Sequence, residues 1–174
     1  MELLAGAAFK VAFSLITSSP EVPLFKRFKS KWQLIDRNRF IPGVHDDFTA
    51  EVFTDTKDEI LKFANFQLQH NQPRDDYREF LQLAIIFLGS SPTRGIYFNS
   101  PRAVHHARWM SKVLYCLKVW LFHDQFKLTA HEAKGVKDFC IFAVSIYLKA
   151  WMTASLASSA PRNDLELMKG SVKI

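Results

Sequence analysis

Apolar side chains recur every three to four positions along most of this sequence, the spacing that places them on one side of an α-helix. The pattern is clearest in one run of apolar residues that share a helix face: Met110, Val113, Leu114, Leu117 and Leu121. Six Gly and seven Pro in 174 residues are too few for many tight turns, and the alternation typical of β-strands is scarce. The pattern predicts an all-α fold.

The length fits one domain with a hydrophobic core, so we predict a single helical bundle over residues 1–174 with five to seven helices. The expected helices span about 3–16, 23–35, 54–69, 74–88, 102–122 and 129–151. Between the fourth and fifth, the sequence breaks the helical pattern, and at most one short extended segment is expected, near residues 96–98. Thr129 and Glu132 match a capping box, which predicts the start of the last long helix.

The net charge allows an acidic partner. The formal charge is +6 and the isoelectric point is about 9.4, a balance compatible with nucleic acid, an anionic membrane or an acidic protein. Two clusters of basic residues could contact phosphates: a stripe of Arg102, His105, Arg108 and Lys112, and a second set of Lys26, Arg27, Lys29 and Lys31. The alternative interpretation of both is a solvated helix face. His106, next to His105, falls on the apolar side and is predicted to be a core ring.

Two acidic pairs are candidates for metal or acid–base chemistry. Asp75 and Asp76 fall in the first turn of a predicted helix, where the helix dipole favours carboxylates, and adjacent helical residues diverge by 100°. Asp46 and Asp47 are expected in a loop, where His45 could join them as a metal ligand. Alternatively, Asp46, Asp47 and other carboxylates could hold Mg²⁺ in a nuclease. Nucleophile-elbow, phosphate-loop and dinucleotide fingerprints are absent from the sequence. We therefore expect no catalytic residue, metal, cofactor or small-molecule substrate.

Cysteine usage and hydropathy indicate the compartment. Cys116 and Cys140 lie in apolar stretches and are predicted to be buried free thiols of a reducing compartment. The N-terminal segment faintly resembles a signal peptide, but Glu2 and Lys10 favour an amphipathic helix. Lys149 interrupts the most apolar run before it reaches the length of a membrane span. The expected location is intracellular, in the nucleus or cytoplasm, with no membrane partner.

Four long strings in the sequence carry a family resemblance: PEVPLFKRFKSKW, QPRDDYREFLQLAIIFLG, HHARWMSKVLYCLKVWLF and LKAWMTASLASSAPRNDL. They resemble a transposon-derived family of arthropod and cnidarian proteins that is also associated with bracoviruses. Longer family members carry a Cys-Arg-His-His element similar to a signature of hAT-type transposases, which have an RNase H-like catalytic core. That element is missing here, as is the upstream region that would supply core strands and acidic residues.

The resemblance implies that this chain corresponds to the helical insertion of such a transposase, a part that helps bind DNA and assemble subunits. Two hypotheses follow. In the first, the chain is a non-catalytic module that contacts the DNA backbone through its two basic clusters. In the second, it is an interaction or effector module that pairs with another copy of itself or with a host protein, with no nucleic-acid role.

Overall fold

The structure, a computed structural model, describes residues 2–13, 22–71, 73–101 and 109–153. Within these residues the chain forms seven helices and no β-strand, which confirms the predicted all-α fold. The first six are α1 (Glu2–Ala12), α2 (Pro23–Lys31), α3 (Asp47–Phe53), α4 (Lys57–His70), α5 (Asp75–Phe87) and α6 (Trp109–Leu121). The seventh, α7, begins as Ala130–Phe142, continues through a π-helical turn at Ala143–Tyr147 and ends as Leu148–Thr153.

The centre of the bundle is α6, which packs against α5 on one side and α7 on another. Its residues from Val113 to Val119 are all buried, and so are the residues of α5 from Glu79 to Phe87. The next layer consists of α1 against α7 and α4 against α5. A side chain at Gly135 would place its Cβ 2.5 Å from the carbonyl oxygen of Ala12, so the glycine allows α1 to approach α7. The core is thus closed on several sides of α6.

Local signals fix several helix ends where the sequence predicts them. Thr129 and Glu132 form the predicted capping box: the Thr129 hydroxyl accepts from the Glu132 N–H at 3.2 Å, and Glu132 Oε2 accepts from the Thr129 N–H at 2.9 Å. Gly89 ends α5 with φ of +75°, and the N–H of Ser90 donates to the carbonyl of Ile85 at 3.0 Å. This is the Schellman arrangement that favours glycine.

The region of Asp46 and Asp47 differs from the prediction of a loop. Asp46 is the N-cap of α3, and its carboxylate accepts hydrogen bonds from the N–H of Thr49 at 3.0 Å and the hydroxyl at 2.6 Å. Asp47 is the first residue of that helix. The sequence prediction failed because α3 makes only two turns, too few to display a helical period. Its inner face needs only Thr49 and Phe53, both fully buried.

The segment between α5 and α6 is irregular in its described part, residues 88–101, and residues 96–98 form no strand. Predicted helix ends at 13–16 and 102–108 fall largely outside the described residues. The two cysteines are buried and unbridged, as expected, and burial raises the pKa of both the Cys116 and Cys140 thiols. Among the helices that the structure describes, none has the length and apolar content needed to cross a bilayer.

Candidate nucleic-acid interface

Helix α2 has one face in the core and one in solvent. Leu24, Phe25 and Phe28 are buried, and Trp32 extends the same face into the 3₁₀ turn Trp32–Leu34 that follows. Pro23 occupies the first helical turn, where its fixed φ suits the helix and its missing N–H costs nothing. The division of the helix into an inner and an outer face follows the sequence prediction.

The outer face of α2 and the turn after it carry what we term the basic surface: Lys26, Lys29, Lys31 and Arg37, all exposed. Over residues 26–39 the chain has six cations and only one carboxylate, Asp36. The Arg37 guanidinium lies 5.9 Å from the centre of the Trp32 ring, and Arg39 pairs with Asp124 at 3.2 Å. The segment therefore presents a local positive field to solvent.

Arg27 differs from its lysine neighbours because it makes internal contacts. Its guanidinium donates to both carboxylate oxygens of Glu132, at 2.9 and 3.1 Å, and to the carbonyl of Lys127 at 3.2 Å. It also lies 5.2 Å from the Phe126 ring centre. Burial raises the pKa of Glu132, but hydrogen bonds from Arg27 and the Thr129 N–H outweigh it, so the pKa is lowered overall. The structure thus places Arg27 in the link between α2 and α7.

In the predicted stripe of Arg102, His105, Arg108 and Lys112, the first three residues lie outside the described residues, as does His106. Lys112 is half-buried, with its Nζ 4.8 Å from the centre of the Phe9 ring. Burial, and then the charge of Lys10, lower the Lys112 pKa. Tyr115, which the spacing places on the same polar face, is instead buried, with its ring 4.8 Å from that of Phe25. The described part of this stripe is covered by α1 and α2.

The acidic pairs are engaged in local structure. Asp46 also accepts from Lys137 at 2.7 Å; burial raises its pKa, and the hydrogen bonds from Lys137 and Thr49 lower it by more. Asp76 receives two hydrogen bonds from Arg74, each 2.7 Å long. Within residues 2–13, 22–71, 73–101 and 109–153, no group of three His, Cys, Asp or Glu side chains is placed to hold a metal ion. His45, which precedes Asp46 in the sequence, is exposed and belongs to no such group among the described residues.

The structure also contains polar groups in the core that the sequence does not predict. Glu79 on α5 and Lys118 on α6 form a buried ion pair with 2.5 Å between Nζ and Oε1, and Gln82 is buried one turn after Glu79. A groove opens beside them, between α4, α5 and residues 92–94. The signal available in the sequence is that Glu79 and Gln82 interrupt the otherwise apolar run of α5. That signal does not identify a partner.

No protein-family model, curated protein or solved structure matches this chain. The candidate interface is therefore defined by its own geometry, as the solvent face of α2 and the turn that follows it. The transposon resemblance stays a prediction from the four strings that carry it.

Proposed function

We propose that the protein is a non-catalytic helical module that binds the DNA backbone through the basic surface. The observation that supports this most directly is the exposure of Lys26, Lys29 and Lys31 along a helix whose opposite face is sealed in the core. Lys29 and Lys31 have no acidic partner among the described residues. Exposed cations on a fixed support are what sequence-tolerant phosphate contact requires.

The basic surface is held rigidly, which favours a binding role over a merely solvated face. Phe28 contacts the rings of Trp32 and Phe126 at centroid distances of 5.7 and 5.4 Å. The Arg27–Glu132 ion pair joins α2 to the start of α7, and Gln125 accepts from the N–H of Asp36 at 2.9 Å. Because these contacts already order the backbone of α2, binding of a partner should cost little additional conformational entropy of this helix.

We further propose that the module derives from a transposase insertion and acts in the nucleus or cytoplasm. The resemblance of the four strings to a transposon-derived family supports this origin, and an all-α fold is what it implies. No residue of this sequence can be assigned a catalytic role by motif.

The decisive experiment is a titration of labelled duplex DNA, followed by fluorescence anisotropy at two salt concentrations. We expect micromolar or weaker binding that falls with salt, with a slope of about −0.9 in log K against log salt for each phosphate contact. The variant Lys26→Gln/Lys29→Gln/Lys31→Gln should flatten that slope. A control removes three exposed lysines elsewhere, Lys10→Gln/Lys62→Gln/Lys134→Gln, and should retain most of it. Absence of binding at low salt, or an equal loss in both variants, would refute the proposal.

A second candidate function, association with another copy of the chain or with a host protein, is favoured by exposed apolar residues on α3. Phe48 and Val52, one turn apart, are 60% and 39% exposed, which is unusual for a phenylalanine and valine that share a helix face. Light scattering at increasing concentration tests self-association. A monomer at all concentrations, unchanged by Phe48→Glu, would count against pairing through α3.

A further inference from the structure

The groove beside α5 has the size and charge of a site for a small anion. Its volume is about 450 Å³, within the range of small-molecule sites. Two arginines, Arg78 and Arg94, line it together with the amides of Gln69 and Gln82. An entering ligand therefore meets two guanidinium groups and several amide donors, although Arg78 is also 3.5 Å from the Asp75 carboxylate.

Both arginines retain unused donors. Arg94 is exposed and has no acidic partner among the described residues. Arg78 makes two long contacts, 3.5 Å to the Asp75 carboxylate and 3.4 Å to the carbonyl of Pro73. A guanidinium carries five N–H donors in a planar fork that matches phosphate oxygens. The pair is thus suited to bind a phosphate group.

A smaller, solvent-open cavity of about 200 Å³ adjoins the groove and shares Arg78 and Gln82 with it. It is also lined by Tyr97, by Asn99 and by the carboxylates of Asp75 and Glu79. The Tyr97 ring is 50% exposed, pairs with no other aromatic ring of the described residues, and has its hydroxyl fixed by Gln82 Nε2 at 3.3 Å. An oriented and uncovered ring is a platform for a planar base.

One wall of the smaller cavity is polar although the core behind it is apolar. Glu79 is only 4% exposed, and the nearby Lys118 ammonium approaches Oε1 outside hydrogen-bond geometry. A buried ion pair contributes little to stability compared with a well-packed apolar pair. Because the Glu79 carboxylate lines the cavity, its Oε1 can accept a hydrogen bond from a ligand that carries donors of its own.

From this arrangement we propose that the groove binds a nucleotide, with the phosphate on Arg78 and Arg94 and the base beside Tyr97. The amides of Gln82 and Asn99, each both donor and acceptor, are placed to contact the base edge. The nucleotide is either a free mononucleotide or one unit of a single strand. This site is separate from the basic surface and does not depend on the proposed DNA contact. It also departs from the sequence-based expectation of no small-molecule ligand.

The test is an amide chemical-shift titration of the full chain with adenosine monophosphate. We expect shifts confined to residues 68–69, 78–82 and 92–99, with adenosine and inorganic phosphate each binding at least tenfold more weakly than the complete nucleotide. Equal affinity for inorganic phosphate would overturn the assignment of a base site. Absence of shifts in the groove at millimolar nucleotide would overturn the proposal as a whole.

Variants locate the two halves of the site. Arg94→Gln removes an exposed side chain without a structural partner and should weaken nucleotide binding roughly tenfold; Tyr97→Ala should lower the preference for nucleotide over phosphate. Arg37→Gln, an exposed arginine outside the groove, is the matched control and should leave binding unchanged. If Arg37→Gln weakens binding as much as Arg94→Gln does, the groove is not the site.

Two further arms separate this proposal from the DNA proposal and identify the source of the nucleotide. The variant Lys26→Gln/Lys29→Gln/Lys31→Gln should keep full nucleotide affinity, whether or not it binds duplex. In that variant, the affinity of a short single-stranded oligonucleotide is compared with that of the mononucleotide. Tighter binding of the oligonucleotide, dependent on Arg94, would identify the ligand as a nucleic-acid strand. Tighter binding of the mononucleotide would identify it as a free nucleotide. Loss of nucleotide binding in the triple lysine variant would contradict the placement of the site.

Discussion

Helices α2 and α6 both carry lysines among aromatic and aliphatic residues, yet the structure uses those lysines in opposite ways. On α2, Lys26, Lys29 and Lys31 all extend into solvent. On α6, Lys118 is 3% exposed and pairs with Glu79, whereas Lys112 lies half-buried over Phe9. The residue type and the helical spacing are similar, so the surroundings of each helix make the difference.

The surroundings differ because α6 is the central helix and α2 lies at the edge. Because α1, α5 and α7 pack around α6, Lys118 is only 3% exposed and is largely shielded from bulk water. A charge in that position must have a partner, because an isolated buried ion is far more costly than an exposed one. On α2 one face is covered and the other is free. The lysines that are accessible to an external partner are therefore those of the edge helix.

The largest effect should come from breaking the buried pair of α6. Lys118→Met leaves the Glu79 carboxylate buried without its counter-charge, so we expect a loss of about 3–5 kcal/mol in the free energy of unfolding. Lys29→Met on α2 should change it by less than about 0.5 kcal/mol. Urea denaturation followed by far-ultraviolet circular dichroism measures both.

The double variant Lys118→Met/Glu79→Leu is the control for the predicted loss of stability. Because it removes both charges together, its loss should be clearly smaller than that of Lys118→Met alone, and the difference gives the coupling energy. If Lys118→Met lowers the free energy of unfolding no more than Lys29→Met does, the contrast between the lysines of the central and edge helices is wrong.

The same contrast explains how far the sequence could predict the structure. A helix with one covered face displays its environment in its own period, so the exposure of Lys26, Lys29 and Lys31 was predictable from residues 23–35 alone. The period of α6 marks its apolar face as clearly, but it does not reveal that the polar side chains of Tyr115 and Lys118 are buried too. The partner of Lys118 is Glu79, on another helix, and no local pattern links the two positions.

The groove and α3 were missed for related reasons. The groove takes its lining from α4, α5 and residues 92–99, three separate stretches that only the tertiary fold brings together. Helix α3 is too short to show a period, although Asp46 and Thr49 form a recognisable cap. Helix ends with chemical signals, such as Thr129 with Glu132 and Gly89, were predicted correctly. Local chemistry is readable from sequence, and long-range pairing is not.

A smaller effect is expected within α2 itself, where Arg27 contrasts with its lysine neighbours. Arg27→Ala removes the hydrogen bonds from Arg27 Nη2 to both carboxylate oxygens of the partly buried Glu132 and to the Lys127 carbonyl, and should cost about 1–2 kcal/mol. Lys29→Ala should cost less than about 0.5 kcal/mol. Equal costs for the two substitutions would mean that Arg27 is only a solvated surface cation.

The pH dependence of stability gives an independent check on Arg27. Since the folded state lowers the pKa of Glu132 from its ordinary 4.5, the stabilisation is present above about pH 4.5 and is lost as the pH falls through the folded-state pKa. Urea denaturation across this range should show a steeper acid loss in the wild type than in Arg27→Ala. If the free energy of unfolding falls equally steeply with acid in both proteins, the Arg27–Glu132 ion pair does not have the role assigned to it.

The smallest effect concerns Lys112, which is intermediate between the two classes of lysine. Burial and Lys10 lower its pKa from the ordinary 10.5, so the folded state binds this proton less tightly than the unfolded state, and stability rises with pH towards about pH 10.5. Lys112→Met should remove that rise.

At neutral pH the substitution should change the free energy of unfolding by less than about 1 kcal/mol, because the relieved charge offsets the lost contact with Phe9. Burial raises the pKa of Tyr115 to about 12 and also raises the pKa of the Cys116 and Cys140 thiols, so the folded state loses stability when these groups ionise in the unfolded chain. The urea-denaturation curves of the two proteins are therefore compared from neutral pH to about pH 8, below the ordinary thiol pKa of about 8.5. A constant difference over that range would show that Lys112 is as well solvated as the lysines of α2.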